Sequence, residues 1–423
     1  MPEETRVPAA PPCAFCNGGD LGLIMDFGDV ALAGAFLRPE QFAAERKYPL
    51  RLYFCRGCFA VQVVDPVPAE VLFSDYFYFS SSIGTLREHF KRYAAELTQR
   101  FLPNPRAGAV LEFGCNDGVL LKPLADCGIG KVIGVDPATN VVATIADARV
   151  TVVNDFFTEA VAERIVAEHG VIDLVMANNV YAHIPDIQGV TRAVRRVLEK
   201  DGVFVFEVHY LGKVIDEMQY DMIYHEHLYY YSLVSANEHF ARHGMVVFDV
   251  KPVPIHAGSM RFYVCKEGSR HARAVSAAVT ALCDHERERG FDRFETFRQF
   301  SVRVAETKRD LVELLERLRG EGKSIAGYGA SGRANTMIQY CGIMTKHLDY
   351  MIDDAPAKIG FYTPGSHFPI RSSAVLRERN APDYVLIFAW SFFAEICARN
   401  ADYLDRGGRM ILPLPAVSIH SSV

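Results

Sequence analysis

The chain has 423 residues, half of them hydrophobic and 23% charged, with a net charge of −6 from 45 basic and 51 acidic side chains. That length exceeds what one core supports and calls for two or three domains. No run of Lys and Arg marks a nucleic-acid partner, and no apolar run reaches the roughly 18 residues of a membrane span. Met1 to Pro12 is rich in Pro and Ala and lacks the charged-then-apolar layout of a signal peptide. A cytoplasmic protein is therefore expected. Its ten cysteines should be reduced there, so clustered ones point to metal rather than to disulfides.

The first cluster is Cys13-x-x-Cys16 with Cys55-x-x-Cys58, two knuckles separated by 38 residues. Each CxxC turn brings two thiolates together, and two turns complete a tetrahedral S4 set suited to structural Zn²⁺. Arg56-Gly57 supplies the glycine such turns favour. The alternatives are two unrelated pairs or a redox motif. Next, Phe73-Ser-Asp-Tyr76-Phe-Tyr78-Phe79 places Tyr76 and Tyr78 on one face if extended. They read either as a packing clamp or as rings facing a ligand. Residues 84–102 carry Leu86, Phe90, Tyr93, Ala94 and Leu97 at helical spacing.

From Ala109 the pattern alternates strand and helix, which predicts a doubly wound parallel sheet with ligands at the C-terminal strand ends. Its strands are expected at 109–113, 131–136, 150–153, Ile172–Ala177 and Val203–Val208, with helices at 157–168 and 186–199. The first turn, Glu112-Phe-Gly114-Cys-Asn116-Asp117-Gly118, carries two acids and two glycines. Acids repel a pyrophosphate but suit a ligand with an ammonium group, and S-adenosylmethionine (SAM) is such a ligand. Asp136, ending the second strand, is placed for ribose hydroxyls. Asn154 and Asp155 follow the third strand and Asn178 and Asn179 end the fourth. A cofactor-free sheet and an NAD site are the alternatives. His183, a few residues on, serves chemistry or caps the helix that starts near Pro185.

Tyr224-His225-Glu226-His227 puts a phenol, two imidazoles and a carboxylate in four positions beyond the fifth strand. These are proton-transfer groups. In an extended chain His225 and His227 would share a face, as metal ligands do, but no third ligand is evident. A strand at Tyr229–Ser232, a helix at 235–243 and strands at 246–251 and 260–265 should follow. Residues 270–320 read as a helical connection with Leu311, Leu314, Leu315 and Leu318 on one face. A second strand–turn–helix then carries Gly327-x-Gly329-x-x-Gly332 with Ser331 and Arg333, and a strand ending in Asp353 and Asp354 follows. Further strands are expected at 384–389 and 408–412. This second Rossmann-like turn is an anion cradle for a nucleotide diphosphate, for NAD, or a plain turn. Lys358 and His367 are further candidate phosphate contacts. Trp390, the sole tryptophan, borders the substrate or packs in the core.

Zinc knuckles, a SAM turn and Tyr-His-Glu-His, in this order, resemble the sugar C-methyltransferases of nucleotide-deoxysugar biosynthesis. The resemblance runs from Cys13 to about residue 415. It is most specific at Tyr224–Leu228, at Ile255-His256-Ala257-Gly258-Ser259-Met260-Arg261 and at Gly327–Asn335. Ala257 departs from the family's Gly-Gly-Ser. The resemblance implies an α/β protein in three parts. These are a zinc-binding domain (1–75), a class I SAM methyltransferase domain (76–270), and a helical connection with a Rossmann-like nucleotide-sugar domain (271–423). It implies C3 methylation of a dTDP-linked 4-keto-6-deoxysugar, C5 being the alternative, with His227 as base. Glu226 would fix the tautomer of His227, and Tyr224 or His183 would sit by the developing oxyanion. SAM contacts are expected from Glu112, Gly114, Asn116, Asp117, Gly118, Asp136, Asn154, Asp155, Asn178 and Asn179. Substrate contacts are expected from Tyr76, Tyr78, His225, His256, Ser259, Arg261, Gly329, Ser331, Arg333, Asn335, Asp353 and Lys358. A monomer is expected. An NAD-dependent oxidoreductase and a non-catalytic SAM-binding scaffold are the competing function classes.

Overall fold

The structure, a computed structural model, describes residues 11–65, 67–68, 71–72, 80–82, 84–255 and 257–421. It divides into two compact units, each built from three stretches of chain. The first holds Met1–Leu21, Cys55–Tyr210 and Leu228–Arg293; the second holds Gly22–Phe54, Leu211–His227 and Phe294–Val423. Strands β1 (Leu21–Ala31) and β2 (Lys47–Cys55), unforeseen in the sequence, are neighbours in one sheet and make up much of the segment Gly22–Phe54. Strand β3 (Val61–Val63) follows the second knuckle.

The first unit's main sheet takes its strands from β4 (Ala109–Phe113), β5 (Lys131–Val135), β6 (Val150–Val153), β7 (Ile172–Asn178) and β8 (Leu198–His209). After the two-residue β9 (Tyr229–Tyr230) come β10 (Met245–Val253) and β11 (Ser259–Lys266). The order is β10-β11-β8-β7-β4-β5-β6, parallel from β8 to β6, with β11 antiparallel to both β8 and β10. The central strands are buried on both faces, which is why β4 and β7 are mostly apolar, with Glu112, Asp173 and Asn178 as their polar residues. Helix Gly84–Phe101 covers one face with Leu86, Phe90, Tyr93, Ala94 and Leu97, the five residues its spacing singled out. Helix Ile187–Val197 covers the other, capped by Asp186, whose side chain accepts the Gly189 N–H. His183 is therefore not the cap.

The second unit's sheet runs from β12 (Ile325–Tyr328) through β13 (Met351–Asp353), β14 (Ile370–Ser372), β15 (Tyr384–Ile387) and β16 (Arg409–Leu412) to β17 (Ser418–His420). Its order is β14-β13-β12-β15-β16-β17, all parallel except β17. In each main sheet the strand order thus reverses beside its first strand, between β4 and β7 and between β12 and β15. Such switch points are where doubly wound sheets hold ligands. The expected helical connection is two helices, Ala277–Glu288 and Phe294–Gly320. Among the described residues, no helix is long and apolar enough to cross a membrane.

Candidate functional site

The two knuckles close on each other. Cys13 Sγ lies 3.5 Å from Cys58 Sγ and Cys16 Sγ lies 3.6 Å from Cys55 Sγ. All four sulfurs fall within 4.8 Å of one another, and three of the residues are buried. A tetrahedral ion with bonds of about 2.3 Å needs sulfurs spaced about 3.8 Å, so the set fits zinc. Both knuckles turn through a left-handed residue just past the second cysteine's side, Asn17 (φ +58°) and Phe59 (φ +63°). Each donates its N–H to the carbonyl of the first cysteine, at 2.8 Å. Gly57, expected to supply that conformation, is not among the positive-φ glycines. Gln62, buried, donates its amide to Cys13 Sγ at 3.0 Å, the outer contact a metal thiolate usually has.

At the β4–β7 switch point, Gly114 (φ +67°) leaves room for Val180, whose side chain would stand 2.5 Å from a Cβ there. Gly118 (φ +76°) lies against Ile145. Glu112, the penultimate residue of β4, is buried and accepts from Asn178 Nδ2 at 2.9 Å. Its second oxygen and Asn178 Oδ1 are buried with no partner among the described residues. Desolvation pushes the Glu112 carboxyl up to about 8, against the pull of Asn178. Unpaired acceptors at a strand-end cradle suit a cationic ligand. Asp136 accepts the N–H groups of Asn116 and Ala138 at 2.9 Å each, while burial raises its pKa. Asn154 ties the Asp136 carbonyl to Thr139. Asp155 is more peripheral, half-exposed beside Arg164. Asn179 (φ +54°) donates its N–H to the Glu207 carbonyl. Asn116 and Asp117 accept the N–H groups of Ser80 and Ser81, so they hold that short turn as well as line their own.

Two expected substrate contacts are otherwise engaged. Arg261 is buried, with Nη2 2.7 Å and Nε 3.1 Å from Glu207 Oε2, and its guanidinium lies 3.5 Å from the centroid of Tyr93. Its charge is satisfied inside the unit. Ser259, also buried, donates to the Ile255 carbonyl. The Glu207 carboxylate also meets His89 Nε2 at 3.2 Å. The one sign of this network in the sequence is an acid interrupting an apolar strand. His256, Tyr76 and Tyr78 lie outside the described residues.

The Tyr224–His227 run belongs to the second unit and is a turn, not an extended strand: His227 N–H donates to the Tyr224 carbonyl at 3.0 Å. The two histidines therefore diverge. His225 is buried with Nε2 3.2 Å from the carbonyls of both Tyr48 and Pro49. Those acceptors belong to the N-terminal stretch of the unit, not to the glycine turn. His227 Nδ1 is 2.9 Å from the Met222 carbonyl. A carbonyl only accepts, so Nδ1 carries the hydrogen and Nε2 carries the lone pair. Tyr224 Oη donates to that lone pair at 3.0 Å. The tautomer is thus fixed by Met222, not by Glu226. The Glu226 carboxyl has no hydrogen bond among the described residues, and burial raises it to about 7.

The glycine turn lies beside this run. A Cβ on Gly332 would stand 3.1 Å from Ala33 and 3.9 Å from the Tyr224 ring. Gly329 (φ +94°) sits at the β12–β15 switch, where a Cβ would meet Ala389 at 2.7 Å. Ser331 caps helix Gly332–Cys341 by accepting from the Ala334 N–H. Arg333 Nε donates to the buried Asp221 at 2.9 Å, and so does Trp390 Nε1 at 2.8 Å; the guanidinium lies 4.5 Å from the indole. Arg333 Nη2 is buried with no partner among the described residues. Asn335 donates to the Ala31 carbonyl. Lys358 joins Asp353 at 3.1 Å to the Ala330 carbonyl at 2.8 Å. His367 pairs with Glu45 and stacks on Phe42. Asp221 and the Met222 carbonyl were not singled out in the sequence: Asp221 sits in the short buried turn Tyr220–Met222, where a single acid among apolar residues has no motif, and a carbonyl has no signature at all.

Comparison with known proteins bears on all three parts. Family models match residues 13–73 (zinc binding domain), 86–250 (methyltransferase domain) and 254–415 (C-methyltransferase C-terminal domain). The chain is 33% identical over 411 residues to the C-methyltransferase NovU of Streptomyces niveus, covering 97% of each. It is 36% identical over 104 residues to a ubiquinone biosynthesis O-methyltransferase of Methylobacterium sp. (strain 4-46), covering 24% of this chain and 41% of that one. Solved structures that it resembles include the magnesium protoporphyrin IX methyltransferase of Synechocystis PCC 6803 with bound SAM. That likeness has 14% identity and a TM-score of 0.33, over 43% of this chain and 79% of that one.

Proposed function

The chain belongs to the family of zinc-binding, SAM-dependent C-methyltransferases, and from that premise we propose that it methylates C3 of a dTDP-linked 4-keto-6-deoxysugar through an enolate, with His227 as base. In this reading residues 1–75 are the zinc part, 76–270 the SAM part and 271–423 the nucleotide-sugar part. The enzyme acts as a monomer in the cytoplasm on a small-molecule substrate.

The observation that carries the reading is the His227 geometry. A neutral imidazole with Nδ1–H held by a carbonyl offers the Nε2 lone pair as a base. Nε2 has one lone pair, and Tyr224 occupies it at 3.0 Å. Substrate must displace the phenol, and the freed hydroxyl is then the donor for the enolate oxygen. His183 is the second candidate donor. Glu226, raised to about 7 by burial, serves in its protonated form as a neutral hydrogen-bond donor toward the sugar. The Gly332 helix N-terminus, Ser331 and Arg333 hold the diphosphate, supported by Arg333 Nη2, which has no partner among the described residues. Glu112, Asp136 and Asn178 hold SAM, which supplies the electrophilic methyl group when bound.

His227→Ala in D₂O tests the base. Wild type should wash deuterium into C3 of the keto sugar, and the variant should exchange it on the order of 10²-fold more slowly. Undiminished exchange removes His227 from the role. Mass and NMR analysis of the product distinguishes C3 from C5, and a methyl on oxygen or nitrogen refutes the carbon reading.

A further inference from the structure

We propose that the zinc knuckles anchor the segment next in the chain after Tyr224–His227: the metal-bound segment fixes the backbone of Leu228–Tyr231, which follows His227 directly, and of Ala182, which precedes His183. The path is a series of direct contacts inside the first unit. Gln62 donates to Cys13 Sγ at 3.0 Å and accepts the Ala14 N–H at 2.9 Å. The same residue stands opposite Tyr229 in the antiparallel β3–β9 pair. One residue on, Val63 N–H donates to the Leu228 carbonyl at 2.9 Å. Leu228 N–H in turn donates to the Ala182 carbonyl at 2.9 Å. The peptide groups of Leu228 are thus held from one side by the zinc segment and from the other by the loop that carries His183.

A second set of contacts seats the first knuckle independently. Phe15, between the two cysteines of that knuckle, is 1% exposed, with its ring 5.1 Å from Tyr229, 5.6 Å from Tyr231 and 4.6 Å from His239. Gln188, on helix Ile187–Val197, donates its amide to the carbonyls of both Ala14 (2.8 Å) and Phe15 (2.6 Å) and accepts from His243 Nε2 at 2.7 Å. A structural metal that only stabilised its own segment would need neither a ring buried among Tyr229 and Tyr231 nor a strand paired with β9. The two-residue length of β9 makes it dependent on that pairing. Gln62, Phe15 and Gln188 are positioning residues, since none is argued to touch substrate or SAM.

Hydrogen exchange on the whole protein tests this. Extraction of zinc by a chelator should raise exchange in peptides covering Leu228–Tyr231 and Ala182–His183 by about tenfold or more, while helix Gly332–Cys341 keeps its protection. Phe15→Ala, with its four cysteines intact and zinc content measured, should give the same local rise with the metal still bound; Gln188→Ala is the milder substitute if that variant does not fold. Faster exchange confined to the residues up to Val63, or an equal rise in Gly332–Cys341, overturns the proposal. Only its catalytic consequence rests on reading His227 as the base. Phe15→Ala should lower kcat with the KM for SAM unchanged; a local rise in exchange with kcat unaffected keeps the anchor and removes only its consequence for catalysis.

Discussion

Glu112 is a carboxyl in a position that costs the apo protein stability. Burial lifts it from an ordinary 4.5 to about 8, and its second oxygen has no partner among the described residues. A folded pKa above the unfolded one means that the folded state binds the proton more tightly. Its contribution is therefore complete below about pH 4.3 and is lost as pH rises through 8. The apo protein should lose on the order of a few kcal/mol between pH 5 and 8 from this group, seen as a falling Tm, and Glu112→Gln should flatten that slope. A ligand ammonium beside Glu112 would restore the carboxylate and expel the proton. SAM binding measured calorimetrically at pH 7 in two buffers of different ionisation enthalpy should then report proton release in wild type and none in Glu112→Gln. Identical apparent enthalpies in wild type would place the ammonium elsewhere. Glu112 was legible in the sequence because an acid that closes an apolar strand before a glycine turn has few other uses. The partner of His227 was not, because it is the main-chain oxygen of Met222, and side-chain identity does not encode which carbonyl a turn will aim.

The elements were legible wherever one face is buried and the period is regular. Helix Ile187–Val197 and strands β4, β5 and β7 fall close to their expected bounds because apolar residues recur at helical spacing or dominate short stretches between turns. β1 and β2 were not foreseen: they lie in the 38-residue insert between the two cysteine knuckles, to which no element was assigned. The same gap hid what the glycine turn of the second unit packs against, namely Ala33 and Ala31. At that turn the charges are arranged in compensated pairs, Arg333 with Asp221 and Lys358 with Asp353. An anion must therefore be recognised by the helix N-terminus together with the spare donor on Arg333, rather than by excess positive charge. Arg333→Gln should weaken binding of dTDP about tenfold to a hundredfold and leave SAM affinity unchanged, both read by calorimetry. Unchanged dTDP affinity would remove the diphosphate from this turn.

At the scale of the whole chain, the second unit draws on three separate stretches, and its polar interior depends on all of them. Asn335 and Gln339 on helix Gly332–Cys341 both donate to the Ala31 carbonyl, and Gln339 accepts the Ala31 N–H. Thr336 donates to the Ile223 carbonyl and Arg333 to Asp221. Glu45 accepts from Gly365 N–H and pairs with His367. A fragment starting at residue 271 would keep every strand of the β12–β17 sheet yet lose all of these partners at once. Each buried group so orphaned costs about 1–3 kcal/mol, and several together reach the 5–15 kcal/mol that holds a typical domain. The expectation is that residues 271–423 alone show no cooperative thermal transition by circular dichroism and bind no dTDP. A cooperative transition with dTDP binding intact would mean that the N-terminal strands and the 211–227 excursion only decorate this sheet. Failure of the fragment would mean that they complete it, so that the loop bearing Tyr224 and His227 and the strand bearing Ala31 fold as one structure with the glycine turn. The proton-transfer run would then be fixed to the anion cradle by the same bonds that let the second unit fold.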